Sequence, residues 1–135
     1  MMSLKEFKNI NNIAGWLVFF IAAAVYTLTM ESTVSLWDCG EFIQSAYMLQ
    51  VVHPPGAPLF LMIGRMFSFL AMGDPDIVAL SLNFMSAICS GFSMLFLFWI
   101  TSHLARRLLT ARNDLDIPID KVIAIIGAGF IAGLT

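Results

Sequence analysis

Two long runs without a charged side chain, residues 13–30 and 77–100, constrain this chain more than any other feature. About 17–25 apolar residues in a helix cross the hydrocarbon core of a bilayer. With 59% of its 135 residues hydrophobic and only 12% charged, a soluble domain of this size could not hide its apolar surface. The sequence therefore predicts an all-α membrane protein.

The first run is longer than the ~7–15 apolar residues of a signal peptide, and no clean cleavage site follows, so a retained helix is expected. Asp74-Pro75 sets the start of the second span, since Asp caps helices and Pro is tolerated at the first helical position. Arg106 and Arg107 mark its far end. A third apolar run, residues 122–135, reads as a span cut short in a fragment of a longer protein. The expected layout is one membrane domain over residues 1–135, with spans over 13–30, about 77–104, and from about 121. An outer loop over 31–76 and a cytoplasmic loop over 105–120 join them.

Charge sets the orientation. Lys5 and Lys8 precede the first span, while Arg106, Arg107, Arg112 and Lys121 lie between the second and third. Positive residues favour the cytoplasmic side, which puts the N-terminus inside and residues 31–76 on the outer, periplasmic or lumenal, side. That loop holds Glu31, Asp38, Glu41, Asp74 and Asp76 against a single Arg65. Residues 57–72 are apolar but short and interrupted by Arg65. If they spanned, the Arg106–Lys121 cluster would move outside, so an interfacial or re-entrant helix is expected.

The outer loop carries the chemistry. Trp37-Asp38-Cys39-Gly40-Glu41-Phe42 opens a helix expected over about 38–50. Asp38, Glu41 and Ser45, spaced i, i+3, i+7, would share one face of it. Two carboxylates together can accept a proton, hold a cation or orient a hydroxyl. Asp38-x-x-Glu41 equally fits a capping box, which satisfies orphan backbone N–H groups. The two roles are compatible, because a helix N-terminus also stabilises an ionised carboxylate. His53-Pro54-Pro55-Gly56 follows: the prolines end the helix and Gly56 permits unusual backbone angles. This rigid corner returns the chain to the membrane and fixes His53, whether as a structural hydrogen-bonder or as a functional group.

Arg65 fits snorkelling to lipid headgroups, or a grip on the phosphate of a lipid-linked substrate. Gly129 and Gly133 fit a small-residue helix-packing pattern. His103 belongs to the cytoplasmic border, and Asp114, Asp116 and Asp120 to a solvated turn. Cys39 and Cys89 give no reason for pairing. No metal-ligand spacing, phosphate loop or serine-nucleophile motif is present. A net charge of -2 argues against a nucleic-acid partner.

Residues 26–31, Trp37-Asp38-Cys39-Gly40-Glu41-Phe42 and His53-Pro54-Pro55-Gly56-Ala57-Pro58-Leu59-Phe60 closely resemble a bacterial membrane family once filed as a domain of unknown function. That family is related to a eukaryotic multi-span protein O-mannosyltransferase with a similar Asp-x-Gly-Glu…His-Pro-Pro-Gly pattern. The resemblance implies the N-terminal part of a GT-C-like helical bundle. Such enzymes move a sugar from a polyprenyl-phosphate donor to a Ser or Thr hydroxyl of an exported protein, with no other cofactor. It implies Asp38 as general base, Glu41 as an assisting or orienting group, and His53 as a contact to substrate or donor phosphate, to which Arg65 would add its grip on phosphate. Trp37, Gly40, Pro54, Pro55 and Gly56 would shape the loop. The implied partners are the bilayer, the lipid-linked donor and a protein acceptor. An ion pathway is the rival class, since acids near a membrane mark such routes, but the three apolar runs carry no charge. A non-catalytic assembly subunit is the third class.

Overall fold

A computed structural model describes residues 1–110 and 116–134. Arg112 and Asp114, assigned above to the cytoplasmic loop, lie outside them. The elements run β1 (Met2–Ser3), α1 (Leu4–Thr29), α2 (Cys39–Met48), α3 (Pro58–Ser68), a 3₁₀ turn (Phe69–Ala71), α4 (Pro75–Leu109), β2 (Asp116–Ile117) and α5 (Ile119–Leu134). The fold is that of an all-α membrane protein. The two strands form only a two-residue antiparallel bridge, Met2 opposite Ile117 and Ser3 opposite Asp116. α1 and α4, of 26 and 35 residues, are long and apolar enough to cross a membrane.

Local chemistry explains the helix starts. Ser3 and Glu6 form a reciprocal capping box at α1: the Glu6 carboxylate accepts from Ser3 N–H at 3.0 Å, and Ser3 Oγ accepts from Glu6 N–H at 3.4 Å. The helix thus begins well before residue 13, and Lys5 and Lys8 sit inside it rather than ahead of it. At α4, Asp74 Oδ1 accepts from Asp76 N–H at 3.0 Å, with Pro75 opening the helix. α4 also runs past residue 104, to Leu109. Helix propensity continues through polar ends that hydropathy alone trims.

The chain divides into two compact units. One comprises Met1–Tyr26 and Cys89–Thr135. Its core contains Ala14, Val18 and Phe98, and a second cluster of Phe7, Ile117, Val122 and Ile125. Gly129 and Gly133 do pack a helix closely. A Cβ on Gly129 would lie 2.8 Å from the Phe98 ring, and one on Gly133 would lie 3.0 Å from Val18. α5 covers 16 residues.

The other unit comprises Thr27–Ile88. Its core gathers Ala46 of α2, Leu61 of α3, Val78 and Leu82 of α4, and Val52 and Ala71 between helices. Gly64 lets α2 and α3 meet, since a Cβ there would lie 2.9 Å from that of Ala46. The opposite side of α3 leaves Leu59, Met62 and Met66 exposed, and Leu70 in the 3₁₀ turn continues the line. That stripe follows helical spacing.

Candidate active site

α2 is a ten-residue helix, nearly three turns, that starts without a side-chain cap. Trp37 adopts φ +71°, a left-handed conformation that is costly for a bulky residue. Asp38 occupies the N-cap position, yet its side chain makes no cap hydrogen bond. Gly40 leaves room for Val34, whose Cγ1 would lie 3.3 Å from a Cβ at that position. Of the three residues expected on one face, Ser45 is buried with Ala46, while Asp38 and Glu41 are exposed. The reason is that α2 packs on α3 through the Ser45–Ala46 edge, turning that edge inward.

Glu41 reaches across to the corner at His53. Its Oε1 accepts from the His53 backbone N–H at 2.8 Å, and its Oε2 lies 2.9 Å from His53 Nδ1. An ionised carboxylate only accepts, so Nδ1–H is the donor. The hydrogen bond from His53 holds the Glu41 carboxyl below its ordinary value of 4.5. In return, the bond to Glu41, then the charge of Glu41 and lastly that of Asp38, raise His53 above its ordinary 6.5. Glu41 is therefore not the second half of a capping box at Asp38. It orients an imidazole, as carboxylates do for catalytic and metal-binding histidines.

The corner itself is Pro54-Pro55, joined by a cis peptide bond, and Gly56 at φ +79°. Gly56 N–H donates to the His53 carbonyl at 3.0 Å, closing the turn. Phe42 then packs edge-on against His53 and against Phe60, with ring centroids 5.9 and 5.6 Å away. So the helix that bears Glu41 also bears the aromatic ring that seats His53.

Beside this pair lies a recess of about 540 Å³. Asp38, Asn83 and Ser86 are its polar lining, and Trp37, Phe42, Phe60 and Leu82 are among its apolar walls. A mostly apolar cavity with few polar groups is the usual form of a small-molecule site. Asn83 escaped the sequence reading. Its Nδ2 donates to the carbonyls of Glu31 and Thr33, at 2.8 and 3.1 Å, tying the segment that leads to Asp38 onto α4. The available signal was its place as the most polar side chain of an otherwise apolar run.

The structure thus joins Glu41 to His53, places Asp38 near enough for its charge to act on the imidazole, and leaves Arg65 apart. Arg65 Nη1 donates to the Tyr47 carbonyl in the last turn of α2. Its guanidinium lies 5.3 Å from the Tyr47 ring centre and 5.0 Å from that of Phe69. A cation at a helix C-terminus satisfies an orphan carbonyl and complements the dipole. Arg65 lines a separate recess of about 240 Å³ with Tyr47, Met48 and Leu49. Among the described residues, no three His, Cys, Asp or Glu side chains gather as a metal site, and Cys39 and Cys89 are both free.

Comparison with known proteins adds what geometry alone does not supply. Residues 38–135 match the model for the family described as "Protein O-mannosyl-transferase TMEM260 N-terminal domain". The chain belongs to that family. The match begins at Asp38 and so takes in Glu41, His53 and the corner after it. Protein O-mannosyl-transferase tmem260 of Dictyostelium discoideum is 33% identical over 92 residues, 64% of this chain and 11% of that protein. The TMEM260 protein of Mus musculus is 45% identical over 49 residues, 36% of this chain and 7% of that protein. The chain thus spans about a tenth or less of the length of these curated relatives. No solved structure matches it.

Proposed function

We propose that this chain is the N-terminal part of a GT-C-type glycosyltransferase. It moves a sugar from a polyprenyl-phosphate donor to a Ser or Thr hydroxyl of an exported protein. The names of its relatives favour mannose as that sugar. The observation that carries this reading is Asp38 at a largely apolar recess, beside an imidazole held by Glu41. Residues 31–76 lie on the outer side of the bilayer in this scheme, as the distribution of basic residues favours.

Asp38 acts as general base. It takes the proton of the acceptor hydroxyl as that oxygen attacks the anomeric carbon. The bond from that carbon to the phosphate oxygen breaks, and the lipid phosphate leaves with the electron pair. The configuration at carbon inverts. His53, whose Nδ1–H is bonded to Glu41 and whose affinity for a second proton Glu41 raises, meets the negative charge that grows on the leaving phosphate. Phosphate leaves readily, so most of the enzyme's task is positioning and charge stabilisation. Arg65 contributes by fixing the end of α2.

In the full-length protein, Asp38→Asn should lower glycan transfer by about 10²–10⁴-fold, the usual contribution of a general base, with membrane insertion unchanged. Transfer at the wild-type rate by an inserted Asp38→Asn protein would remove Asp38 from the reaction.

A further inference from the structure

The polar lining of the recess beside Asp38 is of one chemical kind. Asn83 and Ser86 stand three residues apart on α4, so they share a face of that helix, and both line the recess. Both Nδ2 protons of Asn83 are taken, by the carbonyls of Glu31 and Thr33. That fixes the amide and leaves Oδ1, an acceptor, as what Asn83 can offer a ligand. The Ser86 hydroxyl donates to the Leu82 carbonyl of its own helix at 3.2 Å, so it too offers lone pairs. Asp38, as the base, also accepts. No Lys, Arg or His is among the residues that line the recess. Such a lining suits a neutral ligand rich in hydroxyl donors and does not suit a phosphate.

Trp37 supplies a wall of another character. A Trp beside a bilayer is explained by interfacial anchoring alone. Anchoring does not explain its backbone at φ +71°, which a bulky residue adopts at a cost. The ring is 93% exposed, so its own packing does not offset that cost. Strained residues of this kind cluster at ligand clamps. A pyranose ring matches both walls. Its C–H groups form an apolar face that suits the negative face of an indole, and its hydroxyls donate around the edge.

We infer that this recess seats the transferred sugar itself, with its C–H face on the Trp37 indole and hydroxyls donating to Asn83 Oδ1 and Ser86 Oγ. The inference rests on the sugar transfer proposed above. Asp38 stays free for the acceptor hydroxyl, and the donor phosphate lies outside the recess, which offers it no cation.

The test uses full-length protein in detergent, labelled with fluorinated tryptophan. The fluorine resonance missing from Trp37→Phe belongs to Trp37. It should shift on titration with a short-chain prenyl phosphate mannose and stay in place with the same prenyl phosphate lacking the sugar. Equal shifts with both would assign Trp37 to the lipid and overturn the platform. Among monodeoxy analogues of that donor, one should bind wild type about tenfold more weakly, the loss of one hydrogen bond. Ser86→Ala, whose lost bond lies within α4, should bind the complete donor about tenfold more weakly and lose nothing further with that analogue. A different analogue should behave in this way toward Asn83→Ala. Deoxy penalties identical in wild type and both variants would overturn the hydroxyl contacts. Because binding is read without turnover, sugar-dependent binding by a protein that transfers nothing would sink the proposed reaction and keep this seat. Transfer with deoxy penalties untouched by either substitution would do the reverse.

Discussion

Glu41 and His53, twelve residues apart, are joined twice: one carboxylate oxygen takes the histidine's backbone N–H at 2.8 Å, the other meets its Nδ1 at 2.9 Å. The double contact fixes the imidazole and the start of the proline corner in one step. Nε2 is left without a partner among the described residues, available to a substrate.

The pair has a defined pH window. His53 is raised above 6.5, so what it contributes is fully present below that value and is lost as pH rises through its elevated pKa. Glu41 is lowered from 4.5, so its contribution is present above that value and is lost as pH falls through its depressed pKa. Contact is therefore strongest between about 4.5 and 6.5. Glu41→Gln should return the His53 titration toward its ordinary value, read by NMR of ring-labelled protein. Transfer by that variant should decline at lower pH than wild type. An unmoved titration curve would mean that the two side chains do not meet in solution.

Glu41→Gln should also slow transfer at the optimum, since the amide cannot support an imidazolium as a carboxylate does. A loss of about tenfold in kcat is expected, smaller than that of Asp38→Asn, because a positioning group is removed rather than a base. A larger loss for Glu41→Gln than for Asp38→Asn would argue that Glu41, not Asp38, takes the proton.

Gly64→Ala should destabilise the unit around α2 and α3. The added methyl would meet the Ala46 Cβ at 2.9 Å, and overpacking a fitted contact costs about 1–3 kcal/mol. Thermal unfolding in detergent checks this, and Gly64→Ala with Ala46→Gly should recover part of the loss.

Gly56→Ala is a different case. Nothing lies near its Cβ position, but φ is +79°. The expected cost is therefore conformational alone, about 1 kcal/mol, and no compensating substitution nearby should restore it. A neutral result would mean that the corner relaxes to another backbone form.

Asn83→Ala removes both donors that hold the Glu31 and Thr33 carbonyls. Each such bond is worth about 0.5–1.5 kcal/mol, so a modest loss of stability is expected. Transfer should fall further than stability does, because the freed segment leads directly to Asp38. Asn83→Gln should rescue neither, being one methylene too long. Activity that tracks stability alone would reduce Asn83 to a fastener.

The long helices were legible because their determinants are local. An uncharged run satisfies its own backbone only as a helix, and Asp74-Pro75 places the start of α4 within reach of its own side chain. The corner at Pro54 and Gly56 was legible for the same reason, since each residue restricts or frees its own backbone. The path of Arg65 was not. Its partner is a backbone carbonyl at Tyr47, and no pattern in the sequence marks one carbonyl among many.

Ser3-x-x-Glu6 and Asp38-x-x-Glu41 are the same pattern written twice, and they part company in the folded chain. At Ser3 no competing partner among the described residues reaches Glu6, so the local rule holds and the box closes. At Asp38 the returning corner presents two N–H donors to Glu41, and a double bond to one residue displaces the single reach back along the helix. The sequence by itself determined that carboxylates would stand at the head of α2 and a histidine at a rigid bend. Only the tertiary structure decided that they meet. A side chain chooses its partner by distance in space, and that distance was set by the packing of α2 against α3.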